Sequence, residues 1–61
     1  MATKVYIRYS VQGISQYQLG EFRAGSQMEA RKLMESQHPN KHINILNMAG
    51  PVEKTPDWFV S

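Results

Sequence analysis

Residues 24–39 read A-G-S-Q-M-E-A-R-K-L-M-E-S-Q-H-P and hold a helix start, an amphipathic body and a stop. Ser26 suits an N-cap, because its hydroxyl can accept from a first-turn N–H that has no partner within the helix. Glu29, three residues on, completes the S-x-x-E pattern of a capping box, and its charge favours the positive end of the helix dipole. Pro39 has no amide donor and disfavours the α region for His38, so a helix over about 26–38 must end at Gln37 or His38. Ala30, Leu33, Met34 and Gln37 recur at i, i+3, i+4 and i+7, while Glu29, Arg31, Lys32, Glu35 and Ser36 fill the remaining surface. Surface pairs of Glu29 with Lys32 and of Arg31 with Glu35 add about 0.2–0.5 kcal/mol each. So thin an apolar stripe does not hold a helix in water by itself and requires a sheet to pack on.

Upstream, residues 3–11 (T-K-V-Y-I-R-Y-S-V) alternate with period two. Val5, Ile7, Tyr9 and Val11 fall on one face, with Lys4, Tyr6, Arg8 and Ser10 on the other. Gln12–Ser15 supplies a turn in which Gly13 can take positive φ. On the return strand, Tyr17 and Leu19 are out of phase with Phe22 and Ala24. A β-bulge at Gly20–Glu21 would bring both pairs to one face; otherwise the strand starts late and Tyr17 lies in a loop. Downstream, residues 41–48 read as a third strand with Ile43 and Ile45 inward, His42 and Asn44 outward, and Leu46 and Met48 in the outward phase. Ala49–Pro51 is expected to close it. The remaining tail ends on Trp58, Phe59 and Val60, which are costly to leave in water at roughly 1.5–3 kcal/mol for each large side chain. They are expected either to fold back on the sheet, over Leu46 and Met48, or to dock on a partner.

The reading is an α+β, ββαβ domain: hairpin 3–24, helix 26–38, strand 41–48 and tail 49–61. Its three-stranded, mainly antiparallel sheet carries one helix on one face. The predicted core is Val5, Ile7, Tyr9, Leu19, Phe22, Ala30, Leu33, Met34, Ile43 and Ile45. At 61 residues, this is one domain near the lower size limit for a single core, which makes a homodimer one expectation. The absence of cysteine rules out disulfides and thiolate metal sites. With no transmembrane-length apolar run and no signal-like start, the chain reads as soluble and cytoplasmic, without a membrane role.

Seven Lys and Arg against five Asp and Glu give a net charge of +2, spread along the chain rather than clustered. No nucleophile–base constellation or phosphate loop is present, so no enzyme, catalytic residue or cofactor is expected. His38 and His42 are four apart, but Pro39 interrupts the helix that would align them and no third ligand accompanies them, so no metal site is expected. Two surfaces remain. Trp58, Phe59 and Val60 have the chemistry of a protein-interface anchor. Lys4, Tyr6, Arg8 and Arg23 on the outer sheet face, with Gln16, Gln18, His42 and Asn44, suit stacking of a base and contact with phosphates.

Phe22–Leu33, F-R-A-G-S-Q-M-E-A-R-K-L, carries a strand ending in Phe-x-Ala, a Ser-capped turn, then Glu-Ala and a Leu three residues on. In this run the chain resembles the compact ββαβ accessory proteins that phages and mobile elements encode, among them inhibitors of bacterial defence such as anti-CRISPR proteins. The likeness spans residues 3–48 and excludes the tail. It implies the same fold and action by occupying a surface of a larger host protein. Binding residues differ between such families, so none is carried over. The functional expectation is a small non-enzymatic protein-binding module, with a nucleic-acid-binding module as the second reading.

Overall fold

The computed structural model describes residues 3–60, the side chain of Val60 excepted. The order is β1 (Lys4–Val11), β2 (Gln18–Arg23), α1 (Gln27–Ser36), β3 (Ile43–Val52) and a single-turn α2 (Asp57–Val60). The strands form one antiparallel sheet in the order β2-β1-β3, so the first strand is central and both later ones are edges. The α+β, ββαβ expectation holds, with a short second helix added from the tail.

Helix α1 follows from its cap. Ser26 sits in extended backbone and its Oγ accepts from the Glu29 amide at 3.2 Å. Ala30 and Met34 are fully buried against the sheet. The helix ends at Ser36, two residues short of position 38. The Gln37 and His38 amides donate to Met34 and Glu35, three residues back, in the tightened turn that precedes Pro39. Arg31 and Glu35 form the expected i,i+4 pair at 3.5 Å. Ser26→Ala should destabilise the domain by about 1 kcal/mol. Urea denaturation would read this as a lowered midpoint with an unchanged slope, and an unchanged midpoint would mean that the cap contributes nothing.

The core lies between α1 and the face of the sheet that carries Val5, Ile7, Tyr9, Val11, Phe22 and Ala24, all buried, with Ile43, Ile45 and Met48 packed against it. Two predicted core residues are not in it: Leu19 is 46% exposed and Leu33 is 42% exposed. For Leu19 the reason is register. The β1–β2 ladder runs without interruption from Lys4↔Arg23 to Tyr9↔Gln18, so the bulge expected at Gly20–Glu21 does not form. Leu19 then shares the outer face with Arg8. The strand begins at Gln18, and Tyr17 precedes it, 57% exposed. Gly20 serves a different purpose. It leaves a gap on the inner face that the Phe22 ring fills, and a Cβ there would lie 2.5 Å from that ring. Leu33 stands on the flank of a helix whose buried residues are Ala30 and Met34.

The bulges are in β3. Arg8 pairs with Asn47 and Tyr9 with Ile45, which leaves Leu46 as an extra residue. Lys4 pairs with Val52 and Tyr6 with Ala49, which leaves a second extra residue at Gly50–Pro51. The first insertion reverses the phase of everything after it, so Met48 turns inward opposite Ile7 instead of outward with Leu46. The second lets the strand run on to Val52, past the predicted end at residue 48. A proline is tolerated there because β3 is an edge. Gly50 adopts φ 122°, with its carbonyl accepting from Gln27 Nε2 at 2.9 Å, and this ties the start of α1 to the bulge.

Candidate functional site

The outer face of the sheet is divided into a covered part and an open part. In the covered part, Tyr6 is 1% exposed although it lies on the face opposite α1. Three consecutive residues, Val5, Tyr6 and Ile7, are thus buried, as a central strand requires when both its faces are covered. The cover is the tail. The chain turns at Pro56, α2 follows, and the Phe59 ring meets Tyr6 edge-on with centroids 4.8 Å apart. The Tyr6 hydroxyl donates to Glu21 Oε1 at 3.1 Å and accepts from the Thr55 hydroxyl at 3.3 Å, so the phenol is satisfied in its buried position. Glu21 also pairs with Lys4 at 3.6 Å.

This corrects the expected nucleic-acid surface. Tyr6 does not project between Lys4 and Arg8 as a stacking platform; it is the floor of a small second core beneath Phe59. Lys4 and Arg23 lie opposite each other at one end of the outer face. Arg8 is four residues along β1 from Lys4, about 13 Å at the usual strand rise. The four residues therefore do not make one patch. The tail likewise covers Tyr6 rather than Leu46 and Met48. Of its three apolar residues, Phe59 faces the chain's own sheet, Trp58 reaches further along, and the Val60 side chain lies outside the described residues.

The open part is a groove of about 350 Å³ lined by Arg8 of β1, Leu19 of β2, Gln16 and Tyr17 from the turn before β2, and Trp58 of α2. Its construction follows from the strand register. Arg8 and Leu19 are direct cross-strand partners, so they rise side by side. Tyr17 stands in the same phase as Leu19, and the Arg8 guanidinium lies over its ring, 4.9 Å from the centroid. Trp58 is half-buried and forms the wall on the tail side, its ring 6.1 Å from that of Phe59. Arg8 and Trp58, which the sequence placed in two separate candidate surfaces, thus share one site. Tyr17 and Leu19 are site residues that the sequence reading misplaced; the signal lay in their phase, which an unbulged strand sets opposite to Phe22 and Ala24.

The histidines are apart from this groove. His38 packs on Tyr9 with Nε2 3.5 Å from the phenol oxygen, and the His42 backbone pairs with Gln12 beyond the end of β1. Burial pushes the Tyr9 phenol above its ordinary value, because the ionised form would lose its hydration. Among the described residues there is no group of three or more His, Cys, Asp or Glu side chains that could hold a metal ion, and no helix long and apolar enough to cross a membrane. No protein-family model, curated protein or solved structure matches the chain.

Proposed function

We propose that this chain is a small non-enzymatic binding module, of the type that phages and mobile elements encode, and that it occupies a surface of a larger protein through the groove between β2 and α2. The observation that carries this is the grouping of Tyr17, Leu19 and Trp58 around Arg8 on one open concave surface. Solvent-accessible aromatic and arginine side chains, here an exposed Tyr17 with half-buried Trp58 and Arg8, set beside an apolar residue are the composition of interface hot spots. The lining offers stacking and hydrogen-bonding groups but no hydroxyl–base or carboxylate pair that would do acid–base or nucleophilic work. The rest of the molecule supports the groove: β1 fixes Arg8, the β1–β2 register fixes Leu19, and Phe59 anchors the turn that presents Trp58.

A photo-crosslinking side chain at Gln16, on the rim, tests this in the cells that express the protein. A protein adduct that survives nuclease treatment and disappears with Leu19→Asp is expected. Leu19 is half exposed on an edge strand, so that substitution should cost about 1 kcal/mol and leave the domain folded, which a melting curve of the variant checks. An adduct removed by nuclease, or one indifferent to Leu19→Asp, would overturn the proposal.

A further inference from the structure

We infer that the occupant of this groove is an extended peptide segment of the partner that carries an acidic side chain beside an apolar one, with Arg8 receiving the carboxylate. This rests on the binding reading above and specifies its ligand. The lining contains one full charge, the Arg8 guanidinium, and no carboxylate. The nearest acid along β2, Glu21, is already held by Lys4 and by the Tyr6 hydroxyl. The Arg8 guanidinium rests over the Tyr17 ring, 4.9 Å from its centroid. A guanidinium carries five N–H donors in a planar fork that matches a carboxylate. A side chain that already rests on a ring has less rotamer freedom to lose, which lowers the cost of a bidentate contact.

Leu19 and Trp58 supply the apolar wall for the neighbouring side chain, and the Gln16 amide can both donate to and accept from a guest peptide group. A volume of about 350 Å³ is at the small end of ligand sites. It suits a few side chains of a segment passing through more than a broad folded surface. A polynucleotide would also bring negative charge to Arg8, but its affinity grows with the number of phosphates neutralised. The other outer-face cations are remote, and Lys4 is paired with Glu21. Charge complementarity at a single position favours the peptide.

The test is selection of a random-peptide display library on the full-length protein. The selected peptides are then synthesised and titrated against the emission of Trp58, the one tryptophan in the chain. Peptides enriched in Asp or Glu next to a large apolar residue, shifting the Trp58 emission, are expected. Arg8→Gln should weaken them about tenfold or more at unchanged melting temperature, Arg8→Lys should restore part of the affinity, and Arg8→Glu should redirect selection to basic peptides. Peptides that shift Trp58 without acidic enrichment and bind Arg8→Gln as well as the parent protein overturn the inference and leave the binding reading standing. If no peptide is selected, the inference falls. If oligothymidylate shifts Trp58 in their place, the protein-binding reading falls with it.

Discussion

Gly50→Ala is expected to leave the domain largely unfolded in buffer at 25 °C. Two costs coincide at this position. The backbone has φ 122°, a conformation that L side chains rarely adopt, and holding one there costs about 1–3 kcal/mol. A Cβ would also stand 2.6 Å from the Lys4 carbonyl oxygen and 3.0 Å from the Val5 Cα, which are backbone atoms of the central strand and cannot swing aside. Overpacking of that kind costs about 1–3 kcal/mol more. A core of this size rarely supplies beyond about 3–5 kcal/mol, so the sum removes most of the stability. Two other glycines calibrate the effect. Gly13 has φ 89° but nothing within 4 Å of a Cβ, so Gly13→Ala should show the backbone cost alone. Gly25 has neither a positive φ nor a close neighbour, and Gly25→Ala should change stability by less than about 0.5 kcal/mol. Chemical denaturation of the three variants should rank them in that order. A Gly50→Ala protein as stable as Gly13→Ala would mean that β3 can leave β1 at the bulge without loss.

The same bulge explains where the sequence stops being legible. The features that could be read were those whose signal is local. Ser26, Glu29 and Pro39 bound α1 because capping and the missing amide act within one turn, and the alternation of residues 3–11 places Val5, Ile7, Tyr9 and Val11 on one face whatever else the chain does. The errors concern phase between strands, which is a property of pairs. An extra residue was needed somewhere to bring the apolar side chains of three strands to one core. From sequence, Gly20–Glu21 is the natural host, since glycine tolerates bulge geometry. The chain instead keeps β2 regular, sends Leu19 outward and uses Gly20 to seat the Phe22 ring, placing both insertions in β3 at Leu46 and at Gly50–Pro51. A single residue's shift reverses every side chain after it. A bulge expected in β2 that does not form misassigned Leu19, and one in β3 that alternation did not anticipate misassigned Met48.

The site was legible in its parts and not in its assembly. Arg8 and Trp58 were each singled out, for different reasons and different partners. Bringing them together required the path of the tail, which no periodicity encodes. Tyr6 was misread for the complementary reason. Alternation assigns it to the outer face, where it does lie, but alternation cannot say whether that face is wet. A Tyr between Lys4 and Arg8 looks exposed until a Phe more than fifty residues away folds onto it.

Tyr6→Ala is accordingly expected to lose about 3–5 kcal/mol, the range for truncating a buried aromatic, and so to abolish cooperative unfolding. Tyr6→Phe keeps the ring against Phe59 and removes only the hydrogen bonds to Glu21 and Thr55, for a loss of about 1 kcal/mol. The contrast matters because it fixes what the tail is for. If the tail were an arm held only by a partner, removing its aromatic residues would leave stability within about 0.5 kcal/mol of the parent. The ring contact predicts otherwise: Phe59→Ala should cost about 1–2 kcal/mol, since it uncovers the Tyr6 face that the phenol cannot itself protect. Trp58→Ala should cost less than Phe59→Ala and instead widen the groove, because its ring forms a wall over the open half of the face. Urea denaturation of the two tail variants, paired with binding of a groove ligand, separates the roles. Equal stability losses would place both aromatics in one cap. A larger stability loss for Phe59→Ala with a larger binding loss for Trp58→Ala would assign adjacent residues to opposite tasks, one securing the tail to its own sheet and the other facing the guest.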